Sequence, residues 1–95
     1  MLIIAGYIIV PVDRRQAYVE AFAELVVRAR AHPGCLDLAI TADTVDPARV
    51  NNYELWQSEA DLDAWRKVSH PPKTGIPIES GQMMKYFVSG SAPPF

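Results

Sequence analysis

The stretch Leu2 to Val10, LIIAGYIIV, limits what this chain can become more than any other. It is rich in β-branched side chains and stops at Pro11 and Asp13, which reads as a strand. Side chains on a strand alternate between its faces. Leu2, Ile4, Ile8 and Val10 then share one side, and Ile3, Ala5, Tyr7 and Ile9 the other. Both sets are apolar. A strand with no polar face has to be covered on both sides, so the fold must supply two covers.

The rest of the sequence supplies one. Asp13 is placed to cap a helix running to about Ala31, with Tyr18, Phe22, Leu25, Val26 and Ala29 recurring at helical spacing. His32-Pro33-Gly34 ends it, since Pro cannot continue a helix and Gly accepts the turn conformation that follows. His32 itself suits the negative end of the helix dipole. Cys35 to Thr44 alternates as a second strand, Val45 to Ala48 is a turn, and Arg49 to Gln57 is a third strand, making a hairpin. Ser58, followed by Glu59 and Asp61, caps a second helix whose inner stripe is Leu62, Trp65 and Val68. Ser69 to Gly81 carries three prolines and two glycines and reads as a long loop, of the kind that often serves as a lid. Gln82 to Ser89 is a fourth strand, and residues 91–95 form an extended arm.

The order βαββαβ predicts a single α+β domain over residues 1–95, ferredoxin-like, with an antiparallel sheet and both helices on one face. The other face stays bare. Strand four adds Met83 and Phe87 on one side and Met84, Tyr86 and Val88 on the other. The economical second cover is another copy of the same sheet, in a symmetric homodimer. A hydrophobic content of 49% in 95 residues agrees, because so short a chain has little interior in which to bury it.

Composition removes several function classes. The net charge is −2 and the nine basic residues are scattered, so no footprint for nucleic acid or an anionic membrane surface is present. The apolar N-terminal stretch has no basic segment before it and is too short to span a bilayer. A single cysteine, Cys35, allows no intrachain disulfide and suits a reducing compartment; the expected location is cytoplasmic. No spacing of His, Cys and acids reads as a metal site, and no phosphate loop or nucleophile elbow occurs.

The third strand is where structure alone does not explain the residues. Val50, Asn52, Glu54 and Trp56 fall on one face, Asn51, Tyr53 and Leu55 on the other. An amide can donate to a developing oxyanion, and an indole offers a flat surface and one N–H. Together they could hold a planar, oxygen-bearing aromatic. The same residues also have a structural reading, with Trp56 as core at a strand end, Asn52 bonded to backbone and Glu54 on an exposed edge.

The turn Pro33-Gly34-Cys35, the hairpin pair Asp46-Pro47 and the run Tyr53, Glu54, Trp56, Ser58, Glu59, Ala60, Leu62, Ala64 together resemble the antibiotic biosynthesis monooxygenase domain family over about residues 1 to 90. The resemblance implies a dimeric α+β barrel with a pocket in each subunit between sheet and helices. It further implies a monooxygenase that oxidises a small phenol or hydroquinone with O₂ and no cofactor. Asn52 and Trp56 match an Asn and a Trp that serve the substrate there, and His70 is the one helix-end histidine available as a base. Tyr7, Trp65 and Phe22 are the further side chains expected to bind substrate. Where many members have a His in the second helix, this chain has Trp65. The haem-degrading branch needs a His that the Lys73 to Ile76 region lacks and an Asn where strand one has Gly6 and Tyr7, so that activity is set aside. The same fold also hosts dimeric binding or accessory modules without turnover, which is the alternative.

Overall fold

A computed structural model describes residues 1–95. The strands are β1 (Leu2–Ile9), β2 (Cys35–Ala42), β3 (Arg49–Trp56) and β4 (Ser80–Phe87); the helices are α1 (Arg15–Ala21), α2 (Ala23–Ala31) and α3 (Glu59–Val68). The strands form one sheet in the order β2-β3-β1-β4, antiparallel at every junction. This is the expected ferredoxin-like arrangement, and it puts the two-faced apolar strand β1 at an interior position.

One face of the sheet meets the helices. Leu2 and Ile4 of β1, Leu38 of β2 and Trp56 of β3 pack with Leu25, Ala29, Leu62 and Trp65 in one buried cluster. Ile8, Val10, Val50, Tyr18 and Ile76 make a second, under the loop after α3. Burying a side chain of this size contributes about 1.5–3 kcal/mol. The opposite face carries Ile3, Ala5, Tyr7 and Ile9 of β1 beside Leu55 and Tyr53 of β3 and Tyr86 and Met84 of β4, with no helix over it. Met84 and Tyr86 are 53% and 52% exposed.

Three expectations need correction. The first helix does not begin at an Asp13 cap. Asp13 lies inside a 3₁₀ turn (Val12–Arg14), and α1 starts behind Arg14 with no side-chain cap. Nor does it run unbroken to Ala31: at Phe22 the backbone turns to φ −92°, ψ −3°, and the Phe22 N–H bonds back to Val19 at 3.2 Å instead of one residue earlier. No Pro or Gly marks that step. Phe22 there packs on Tyr18 with ring centroids 4.8 Å apart. Third, Val68 is exposed at the outer end of α3 and takes no part in its inner stripe.

The start of α3 is as expected. Ser58 Oγ accepts the Asp61 backbone N–H at 3.2 Å, a cap of a kind whose loss costs about 1 kcal/mol. Gly6 is fixed by its neighbours: a Cβ there would come within 1.9 Å of the Gln82 carbonyl oxygen on β4. No helix is long and apolar enough to cross a membrane.

Candidate functional site

Gly6 matters because of what stands on either side of it. In register it faces Asn52 on β3 and Met83 on β4. With no side chain between them, the Asn52 amide reaches across β1 and donates from Nδ2 to Met83 Sδ at 3.8 Å. A thioether is a weak acceptor, so this amide N–H is held in place without being strongly committed.

Asn52 forms part of the wall of a cavity of about 190 Å³ between the helix-facing side of the sheet and the helices. The wall is mostly apolar: Tyr18, Phe22 and Leu25 from the α1–α2 segment, Leu38 and Ile40 from β2, and Trp65 from α3. Its polar groups are Asn52, Glu54 and Ser69 with the Tyr18 phenol, and no Lys, Arg or His contributes to it. Burial pushes the Tyr18 phenol above its ordinary value, which keeps it protonated and able to donate.

Glu54 stands two residues from Asn52 on the same face, between Ile4 and Leu38 in register. Its Oε1 accepts the Trp56 indole N–H at 2.9 Å. Trp56 is completely buried, and a buried indole N–H left without a partner is costly. The bond therefore satisfies Trp56 and fixes the Glu54 carboxylate at once. Cys35, opposite Trp56 on β2, senses that charge: burial first, then Glu54 and Asp37, push its thiol up.

The third-strand face thus comes out as the alternation requires, but at two depths. Asn52 reaches the cavity, as do Phe22 and Trp65. Trp56 does not line it. It packs behind Glu54, stacked on Trp65 with centroids 6.4 Å apart and edge-on to His32. Tyr7 is on the other face of the sheet, under the Arg49 guanidinium at 4.0 Å, and so cannot supply a hydroxyl to this cavity. His70 is exposed, in a left-handed conformation with φ 43°, while its neighbours Ser69 and Pro71 line the wall. The ring itself is outside. Arg28 of α2 holds this segment, donating to the Ser69 carbonyl at 2.7 Å and lying 5.5 Å over the Trp65 ring.

Tyr18, Glu54 and Ser69 belong to the wall, and sequence reasoning alone does not single them out as site residues. Tyr18 looked like one more core position of a helix stripe. Ser69 was hidden in a loop, where no periodicity applies. Glu54 was visible, since it shares the Asn52 face, but the indole that orients it was read as a wall residue. No three His, Cys, Asp or Glu side chains converge in a way that could hold a metal ion.

Comparison with known proteins bears on the fold and the family. A solved structure from Nitrosomonas europaea, described as a candidate antibiotic biosynthesis monooxygenase, superposes with a TM-score of 0.81 at 22% identity, covering 95% of this chain and 100% of that one. Rv0793 from Mycobacterium tuberculosis gives 0.79 at 14% identity, covering 97% and 98%. A Bacteroides thetaiotaomicron protein of unknown function gives 0.74 at 18%, covering 90% and 94%. At such identities these likenesses establish the fold. No curated protein matches the sequence. The sequence profile of the antibiotic biosynthesis monooxygenase family matches residues 1–71, which include the hairpin, Asn52, Glu54, Trp56 and all of α3. Over that span the chain belongs to the antibiotic biosynthesis monooxygenase family, whose description carries a monooxygenase-like role in general terms.

Proposed function

We propose that the protein is a cofactor-independent monooxygenase acting on a small phenol or hydroquinone. The observation that carries this is the Asn52 amide in the wall of an apolar cavity, engaged only by a sulfur that a substrate oxygen can displace. Phe22 and Trp65 give the aromatic walls, and Trp56 acts from behind through Glu54. A cavity of roughly 150 Å³ accommodates benzene, so about 190 Å³ suits one substituted ring. In the reaction, a ring C–H bond breaks and oxygen is bonded to that carbon, which lies para to the hydroxyl in a phenol and ortho to one hydroxyl in a hydroquinone, whose para carbon already carries oxygen. One atom of O₂ enters the ring and the other leaves as water. The substrate supplies all four electrons, so a phenol ends as a quinone. Asn52 stabilises the oxyanion from which the first electron leaves.

The same reading includes a homodimer joined through the uncovered sheet face. Its support is the apolar surface of Ile3, Ile9, Tyr53, Leu55, Met84 and Tyr86, which no helix of the chain reaches.

Oxygen uptake by metal-stripped protein, over a panel of substituted hydroquinones and naphthols, tests the activity. The expected result is uptake that survives chelation and falls about 10²–10³-fold in Asn52→Ala, the usual effect of losing an oxyanion donor. Equal rates in Asn52→Ala would sink the assignment. No uptake on any compound would move the reading to a binding module of the same fold. Trp56→Ala is a poor probe, because emptying so buried a site costs about 3–5 kcal/mol of stability; Trp56→Phe is the usable change.

A further inference from the structure

We infer that Glu54 is the group that receives the phenolic proton, and that the cavity selects a neutral hydroxyl over both an ether and a pre-formed anion. The inference rests on the reading of this cavity as the substrate site. Three observations support it.

The first is charge. Among the wall residues Glu54 is the one carboxylate, and no cation accompanies it. Bringing a phenolate into an apolar cavity beside a carboxylate places two like charges close together in a poor solvent for either. A neutral phenol avoids this. Its O–H bond breaks, the proton passes to the carboxylate, and the negative charge moves from Glu54 to the ligand oxygen. The cavity holds one negative charge before and after.

The second is spacing. Residues two apart on a strand stand about 6.6 Å apart. One oxygen that accepts from the Asn52 amide and donates to the Glu54 carboxylate spans at most about 5.6 Å with two hydrogen bonds of ordinary length, so the two side chains need lean together only slightly. The pair can bracket a single hydroxyl, with Asn52 as donor and Glu54 as acceptor.

The third is orientation. Glu54 Oε1 is occupied by the Trp56 N–H at 2.9 Å, which leaves Oε2 without a hydrogen-bond partner in a residue of the cavity wall. That indole donor also steadies the carboxylate against rotation. It gives a burial-driven reason for Trp56 to matter to the chemistry without touching substrate. His70, the histidine at the loop, has its ring outside the wall and is not required.

The test uses 4-chlorophenol and 4-chloroanisole, which differ by one methyl group on oxygen, with affinities measured by NMR titration of the full chain. Wild type is expected to bind the phenol at least tenfold more tightly than the ether. Glu54→Gln keeps an oxygen for the Trp56 N–H but removes the acceptor from the cavity, and should bring the two ligands within about threefold. Asn52→Ala should weaken both ligands alike, since both offer an oxygen lone pair. A wild-type preference near unity, or one that Glu54→Gln leaves intact, overturns the inference; the first needs no variant and does not depend on how Glu54→Gln folds. If Glu54 merely satisfied Trp56, the conservative amide would leave ligand choice unmoved. Oxygen uptake that Asn52→Ala abolishes and Glu54→Gln does not would leave the monooxygenase reading standing and remove this one. Phenol selectivity lost in Glu54→Gln without any uptake would do the reverse.

Discussion

Asp43 shows how much a single residue can organise away from the cavity. Its carboxylate accepts the backbone N–H groups of Asp46 and Val45 and the Asn51 amide, and these hold its pKa down at about 2, against an ordinary 3.8. Arg15 donates to the carbonyls of Asp43 and Asp46, tying the start of α1 to the same loop. A carboxyl whose folded pKa is depressed adds stability that is complete above its ordinary value and disappears as pH falls toward the depressed one. The urea midpoint of the wild type should therefore drop more steeply between about pH 4 and 2 than that of Asp43→Asn. Parallel slopes would show that the network does not act on stability. At this scale the sequence was readable in part. Period-two alternation put Asn52, Glu54 and Trp56 on one face, because that follows from strand geometry alone. It could not say how deep each would sit. Depth came from Trp65 and His32 closing over Trp56, and from Gly6 opening the surface before Asn52, which are matters of neighbouring elements.

Among the elements, β4 is the least protected. All eight of its residues are exposed, and its grip on the fold is the ladder to β1 with the Lys85–Glu59 ion pair and the weak Asn52–Met83 hydrogen bond. That ladder needs the bare backbone of Gly6. Replacing Gly6 with Ala drives a methyl into the Gln82 carbonyl on a neighbouring strand, where backbone cannot step aside. A loss of about 1–3 kcal/mol is expected, with hydrogen exchange speeding first in Ser80–Phe87; unchanged protection of β4 would refute this. The strands, the hairpin and the Ser58 cap were all legible, since each has a local chemical signature. The break at Phe22 was not. A helix stripe is scored by spacing, and the hitch keeps Tyr18, Phe22, Leu25 and Val26 on the same inner side, so the pattern is the same with or without it.

The whole molecule is built round β1, a strand with two apolar faces. The helices cover one, through Leu2, Ile4 and Ile8. If the other is covered by a second copy, a charge placed in its middle should separate the copies. Leu55→Asp is expected to sediment as a monomer where the wild type sediments as a dimer, and to keep its helix content, because Leu55 faces away from the helices. A wild type that is monomeric at micromolar concentration would remove the dimer from the account.

The sheet order also has a consequence in time. β1 lies between β3 and β4, yet it is made long before either. At ribosomal speeds of 5–20 residues per second, the interval from the start of β1 to the start of β4 is roughly 4 to 16 s. Through that interval the most apolar segment of the nascent chain has no final partner on one of its two edges. An apolar strand with an unpaired edge is open to wrong pairing for that long, and slowing elongation between α3 and β4 would lengthen the exposure of Leu2–Ile9.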